Sequence, residues 1–341
     1  MLNTIYRLVE PRRFEAYFED VDIFQDQILV RPTHLSICNA DQRYYQGRRS
    51  KEVLNSKLPM SLIHEGIGRV EYDPQKKIKS GTLVVMIPNT PFESDEIIAE
   101  NYLRSSKFRG SGFDGFMQDY VAMRRDRVLP LPSGINPFVA AFTELVSVST
   151  HAINRFERFS HERRKRVAIW GDGNLAFITS LVLKKRHPEI EVIILGKSEY
   201  KMRDFVFVEE TYNITDIPHN IKFDHAFECV GREASGTAIN QIIDYIQPEG
   251  TISILGVSEN AVPINTRMVL EKGLHIFGSS RSGYRDFKET IELYQTKPEV
   301  QEYLESIIGE IVIVKDIKDM NYAFDADIRK PGGKTIMVWE K

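Results

Sequence analysis

Arg166-Val167-Ala168-Ile169-Trp170-Gly171-Asp172-Gly173-Asn174-Leu175-Ala176 is an apolar run that stops at two glycines one residue apart and resumes as FITSLVLKK. The order strand, glycine turn, helix is what a dinucleotide needs. In a G-x-G-x-x-G/A turn the first glycine permits the bend and the second lets the backbone approach a pyrophosphate. The third small residue lets the helix pack on the strand. Gly171, Gly173 and Ala176 fill those places, and Asp172, Asn174 and Leu175 complete the expected cofactor loop.

Working outward, four more apolar runs end at or near glycine: EVIILG, FDHAFECVG, GTISILG and LHIFGS. The stretches LAFITSLVLKKRH and SGTAINQIIDYIQ lie between as helices. Continuous apolar strands alternating with helices predict a doubly wound parallel sheet, an α/β Rossmann unit over residues 145–281. An NAD site usually carries an acid at the tip of its second strand, roughly 20 residues after the glycine turn. Here that tip reads Gly196-Lys197-Ser198, with no carboxylate. A lysine and a hydroxyl suit a 2′-phosphate, so the expected cofactor is NADPH, held by Lys197 and Ser198 with Lys201 or Arg203 as weaker candidates.

The chain of 341 residues is long enough for two domains. Its net charge of −3 argues against a broad nucleic-acid surface, and the basic run HERRKR before the first Rossmann strand reads as a solvated linker. There is no apolar run near the roughly 18 residues of a membrane span and no signal-peptide pattern at the N-terminus, so a cytoplasmic location is expected. Two cysteines, Cys38 and Cys229, make no disulfide framework. The first 140 or so residues carry short strand-like runs punctuated by glycine and proline, which predicts a mostly β domain. The tail from about Arg281 adds a helix and a last strand, KTIMVWEK.

That first domain offers groups able to polarise a carbonyl. Cys38 lies in SICNAD and His64-Glu65 in LIHEGIG, and thiolate, imidazole and carboxylate form a ligand set for catalytic zinc. Singly, each is as well read as a small core residue or a hydrogen-bonded one. Spacing alone does not choose.

SICNADQRYY, HEGIGRV, TELVSVSTHA and a Rossmann unit containing FECVG together resemble the zinc-dependent medium-chain dehydrogenase/reductases over the whole chain. The resemblance implies a GroES-like catalytic domain over 1–144, completed by 282–341, and one zinc held by Cys38, His64 and Glu144. Glu65 would be a further or exchangeable ligand, and Cys229 would be structural. Three departures stand out. No cysteine lies between Cys38 and Cys229, so the family's four-cysteine lobe is replaced by PNTPFESDEIIAENYLRSSKFRGSG. Ala40 stands where relatives carry a proton-relaying hydroxyl, and Arg43 where they carry histidine. Proton delivery then falls to water with Glu65, or to Tyr44. An arginine near a metal calls for an anion, which points to a phosphorylated substrate bound by Arg43, Arg281 or the Arg48/Arg49 pair.

DQRYY, LPMSLIHEG, IPNTP, AENYL, GFMQD, WGDGNL and SSRSG narrow the resemblance to the ribulose-5-phosphate reductases (ribitol-5-phosphate dehydrogenases) of teichoic acid synthesis. What this implies is NADPH-dependent reduction of D-ribulose 5-phosphate to D-ribitol 5-phosphate. It further implies a homodimer joined through LHIFGS and an association with a ribitol-5-phosphate cytidylyltransferase. The rival is an NAD-linked zinc polyol dehydrogenase acting on an unphosphorylated sugar alcohol.

Overall fold

The strand Arg166–Trp170 lies in a six-stranded, wholly parallel sheet. In space the order is Glu210–Asn213, Glu191–Gly196, Arg166–Trp170, Phe223–Glu228, Ile246–Ile254, His275–Gly278. Numbered along the chain this is 3-2-1-4-5-6, the Rossmann order, with the glycine turn at the carboxyl end of the first strand, where the order reverses. Almost every residue of the first, second and fourth strands is buried; the first two read as apolar runs after one charged opening residue, whereas the fourth buries Asp224, His225 and Glu228 among its apolar residues. Helix Asn174–Arg186 follows the turn and is buried from Ala176 through Leu183.

The third strand, Glu210–Asn213, is an edge strand of sequence ETYN and gives no such signal. The basic run before the first strand is more firmly held than a solvated linker would be. Arg163 pairs with Asp224 at 2.7 Å, Arg164 donates to the carbonyls of Glu157 and Ser160, and Arg166 pairs with Glu191 and Glu210. These arginines fasten the entrance of the sheet.

The computed structural model describes all 341 residues and divides them into two units: Met1–Ser147 with Ser282–Lys341, and Val148–Arg281. In the first unit a seven-stranded sheet runs Val128–Pro130, Leu83–Met86, Glu65–Tyr72, Gln27–Ser36, Lys334–Trp339, Ile308–Val314, with Val121–Arg124 also paired to Gln27–Ser36. A three-stranded sheet of Arg13–Asp20, Leu2–Glu10 and Met60–Ser61 accompanies it. Each unit has its own apolar cluster, one around Tyr45, Phe116 and Phe324, the other around Trp170, Phe223 and Ile242. No helix is long and apolar enough to cross a membrane.

Candidate metal centre and cofactor site

Sheet register builds the metal centre. Ser36 faces Glu65 on one side and Ile336 on the other, so the end of Gln27–Ser36 delivers Cys38 beside His64 and Glu65. Lys334, two residues before Ile336, opens the strand on the opposite flank. Donor atoms of Cys38, His64 and Glu65 all lie within 4.8 Å of one another. Glu144, in the first turn of helix Thr143–Phe159, is buried and is not one of this trio.

Cys38 caps helix Asn39–Tyr45, and Asp41 in its first turn is fully buried. The Asp41 carboxylate accepts from the N–H of Cys38 at 3.1 Å and of Ile63 at 2.9 Å, and stands 3.6 Å from Nδ1 of His64. It therefore ties both halves of the centre together. Ile63 is held at φ 71°, a left-handed backbone that a β-branched residue adopts only under constraint. Phe116 donates to its carbonyl at 2.8 Å, and Gly115 passes so close that a Cβ there would come within 2.3 Å of the same oxygen. The Phe108 ring packs against His64 at 5.3 Å between centroids.

Glu65 meets a buried cation. Lys334 Nζ donates to Oε1 of its carboxylate and to the Ile37 carbonyl, both at 2.9 Å, and pairs electrostatically with Oε2 at 2.8 Å. Burial disfavours that ammonium, yet Glu65 and Cys38 beside it raise its pKa overall. Burial likewise opposes charging His64, and Asp41 and Cys38 overcome it, holding the imidazole well above its usual range. Burial pushes the Cys38 thiol up, so a thiolate there calls for a nearby cation. The Glu144 carboxyl is raised to about 7, first by burial and then by Glu65 and Asp41, while His64 and Lys334 pull it down. Three carboxyl groups and a thiol thus face one lysine and one histidine. Soft sulfur, imidazole and carboxylate within 4.8 Å of one another fit a zinc dication, which would stabilise the thiolate and the neutral imidazole that the unliganded site disfavours.

The other expected site residues are placed as follows. Tyr44 is 3% exposed within the apolar cluster, with the Arg49 guanidinium 5.0 Å over its ring. Arg43 is half-buried in helix Asn39–Tyr45, and Arg48 is exposed. Arg281 is exposed at φ 58° and is the last residue of the second unit. The next residue, Ser282, is buried and bonds Ser147 at 2.7 Å, whose hydroxyl donates to the Glu144 carbonyl. Cys229 is buried directly after strand Phe223–Glu228, one residue past the sheet, and burial raises its thiol, as for a structural residue. Sequence reading leaves Lys334 out. Its one signal is a lysine directly before the apolar run TIMVW.

In the Rossmann unit, Gly171 has φ 131°, and a Cβ there would meet the Cys229 carbonyl and the Ala176 methyl at 3.1 and 3.3 Å. Gly173 is exposed, and nothing lies within 4 Å of where its Cβ would be. That open backbone fits a pyrophosphate. At the second strand's tip Lys197 is exposed and Ser198 half-buried, and their N–H groups donate to one oxygen of Asp172 at 2.7 and 2.8 Å. Lys201 lies 5.8 Å over the Tyr200 ring, and Arg203 is exposed.

A Rossmann unit, a mostly β unit and a cysteine–histidine–glutamate cluster define a zinc-dependent dehydrogenase. Accordingly the alcohol dehydrogenase GroES-like domain family matches residues 25–133 and the zinc-binding dehydrogenase family residues 202–296. The ribulose-5-phosphate reductase of Bacillus spizizenii is 54% identical over 100% of both chains, and ribulose-5-phosphate reductase 1 of Staphylococcus aureus 51% identical over 99% of both. The crystal structure of S. aureus TarJ in complex with NADPH superposes with a TM-score of 0.90 at 47% identity, covering 100% of each chain. This chain belongs to the ribulose-5-phosphate reductases, within the zinc-dependent dehydrogenases.

Proposed function

We propose that this protein reduces the C2 ketone of D-ribulose 5-phosphate to D-ribitol 5-phosphate with NADPH, feeding CDP-ribitol and teichoic acid synthesis in the cytoplasm. End-to-end identity of 54% to a ribulose-5-phosphate reductase carries the reading, and the cluster of Cys38, His64 and Glu65 supports it. When bound, zinc supplies Lewis acidity toward a ketone oxygen and NADPH supplies the hydride.

Cys38, His64 and Glu144 hold the metal, with Glu65 as a further donor. Asp41 orients His64, and Lys334 fixes Glu65 so that its carboxylate faces the sulfur and imidazole. With Ala40 at the relay position, the Glu65 carboxyl moves the proton through water, and Tyr44 is the second candidate. Arg43 and Arg281 are assigned to the substrate phosphate by their charge. Gly171 through Leu175 take the pyrophosphate, and Lys197 and Ser198 the 2′-phosphate. We assign a homodimer through the unpaired edge of His275–Gly278, and an association with a ribitol-5-phosphate cytidylyltransferase. Light scattering tests the dimer, and a monomer at micromolar concentration refutes it.

The deciding assay follows NADPH absorbance with D-ribulose 5-phosphate and with D-ribulose, repeated with NADH and after chelation. Turnover confined to NADPH and the phosphorylated ketose, and lost on chelation, is the expected result. Turnover of the unphosphorylated sugar with NADH would move the protein to the polyol dehydrogenases.

A further inference from the structure

Asp172 sits between the two cofactor glycines, yet its carboxylate turns to the neighbouring strand. One oxygen, Oδ2, accepts the N–H groups of both Lys197 and Ser198. Gly196 makes room for this. A Cβ at that position would lie 2.8 Å from the Asp172 Cβ, 3.1 Å from Oδ2 and 2.9 Å from the Met202 sulfur. The peptide tip so fixed carries the exposed Lys197 and half-buried Ser198 side chains, and Asn213 adds a 3.4 Å bond to the Lys197 carbonyl. A carboxylate at a place meant for a phosphate is electrostatically unfavourable. Its presence there calls for a compensating role, and the hydrogen bonds its carboxylate accepts are these two.

We propose that Asp172 is the positioning residue for NADPH: it couples the pyrophosphate turn to the tip of the second strand and so sets the backbone from which Lys197 and Ser198 reach the 2′-phosphate. This rests on the NADPH reading above. Two consequences separate by substitution. Geometry depends on an oxygen acceptor, which Asn keeps and Ala removes. Charge is lost in both.

Direct titration by NADPH fluorescence, with 2′,5′-ADP and 5′-AMP as competitors, reads binding without turnover. Asp172→Ala should weaken NADPH and 2′,5′-ADP by about tenfold or more, the loss of two charge-assisted bonds, while NADH and 5′-AMP change far less. Asp172→Asn should bind NADPH at least as tightly as the unaltered protein, because the acceptor remains and the repulsion is gone. Lys197→Ala made on top of Asp172→Ala should cost less than Lys197→Ala alone, since Asp172 acts through that residue. Equal NADPH affinity in the Ala variant, equal loss of NADPH and NADH, or failure of Asn to restore binding would each overturn the proposal. If the unaltered protein binds NADH as tightly as NADPH, the cofactor reading itself falls; if it prefers NADPH and Asp172→Ala is silent, only this inference does. Should the Ala variant not fold, the Asn variant and Lys197→Ala decide by the 2′,5′-ADP to 5′-AMP ratio alone.

Discussion

Removing Lys334 strands the Glu65 carboxylate in a site where both partners are almost wholly buried. Breaking such a pair from one side costs about 3–5 kcal/mol, whereas replacing both partners costs far less. Lys334→Met should therefore lower unfolding stability by that amount in urea titrations of metal-free protein, and Lys334→Met with Glu65→Gln should recover most of it. Equal losses in the single and double variants would show the pair to be incidental. Asp41→Ala tests the other support. A group that orients a metal-binding histidine typically contributes 10–100-fold in metal affinity, so competition with a chromophoric chelator should show zinc loosened by about that factor. Cys38→Ala should abolish zinc retention outright, read by metal analysis. At this scale the sequence displayed the donors, because thiol and imidazole are rare and chemically marked. It concealed Lys334, because a lysine's burial is set by which strand ends beside which, and that is a property of register.

The segment that replaces the family's cysteine lobe needs another fastening, and Glu100 provides it. Its carboxylate accepts from Arg127 at 2.6 Å and from the N–H of Tyr284 at 2.7 Å, and Ser106 and Asn89 bond its carbonyl. Arg127 is 4% exposed and shares its charge between Glu100 and Asp126, the latter at 3.0 Å, so Glu100 carries the shorter of its two ion pairs. Glu100→Ala should cost about 2 kcal/mol, the order of a hydrogen bond to a charged group, and should admit protease between residues 91 and 107 in limited digestion. Unchanged digestion would place the anchoring elsewhere. Elements were legible in proportion to their burial. The Rossmann strands announced themselves as apolar runs, while Glu210–Asn213 lies at an edge with polar residues. Strands Leu2–Glu10 and Ile308–Val314 also escape a reading by runs. The first mixes buried and half-buried residues without strict alternation, and the second leaves Ile311 and Ile313 about half exposed. Helix Asn39–Tyr45 is short and depends on Asp41 and Cys38 at its start, which no periodicity reveals.

On the scale of the whole molecule, two units with separate apolar clusters need not share one response to acid. The Rossmann unit contains His225, with no exposed surface, between Thr251 and the Arg163 carbonyl. Its Nδ1 accepts from the Thr251 N–H at 3.2 Å, so Nε2 carries the proton and donates to Arg163, and the ring is satisfied only when neutral. Burial, aided by His161, lowers its pKa from an ordinary 6.5 to about 4. Between those values the unfolded chain binds a proton that the folded chain refuses, so stability falls as pH drops from 6.5 toward 4 and levels off below. Hydrogen exchange of metal-free protein at pH 7 and pH 5 should then show protection lost first in residues 148–281. His225→Gln, neutral at every pH, should be less stable at pH 7 but should flatten that slope. An unaltered slope in the variant would assign the acid response to other groups. Nothing in the local sequence FDHAF marks this histidine as neutral and buried. Read as a Rossmann strand, FDHAFECVG puts it on the sheet, and the order 3-2-1-4-5-6 then places Phe223–Glu228 next to the first strand, at the centre, where every one of its residues is buried.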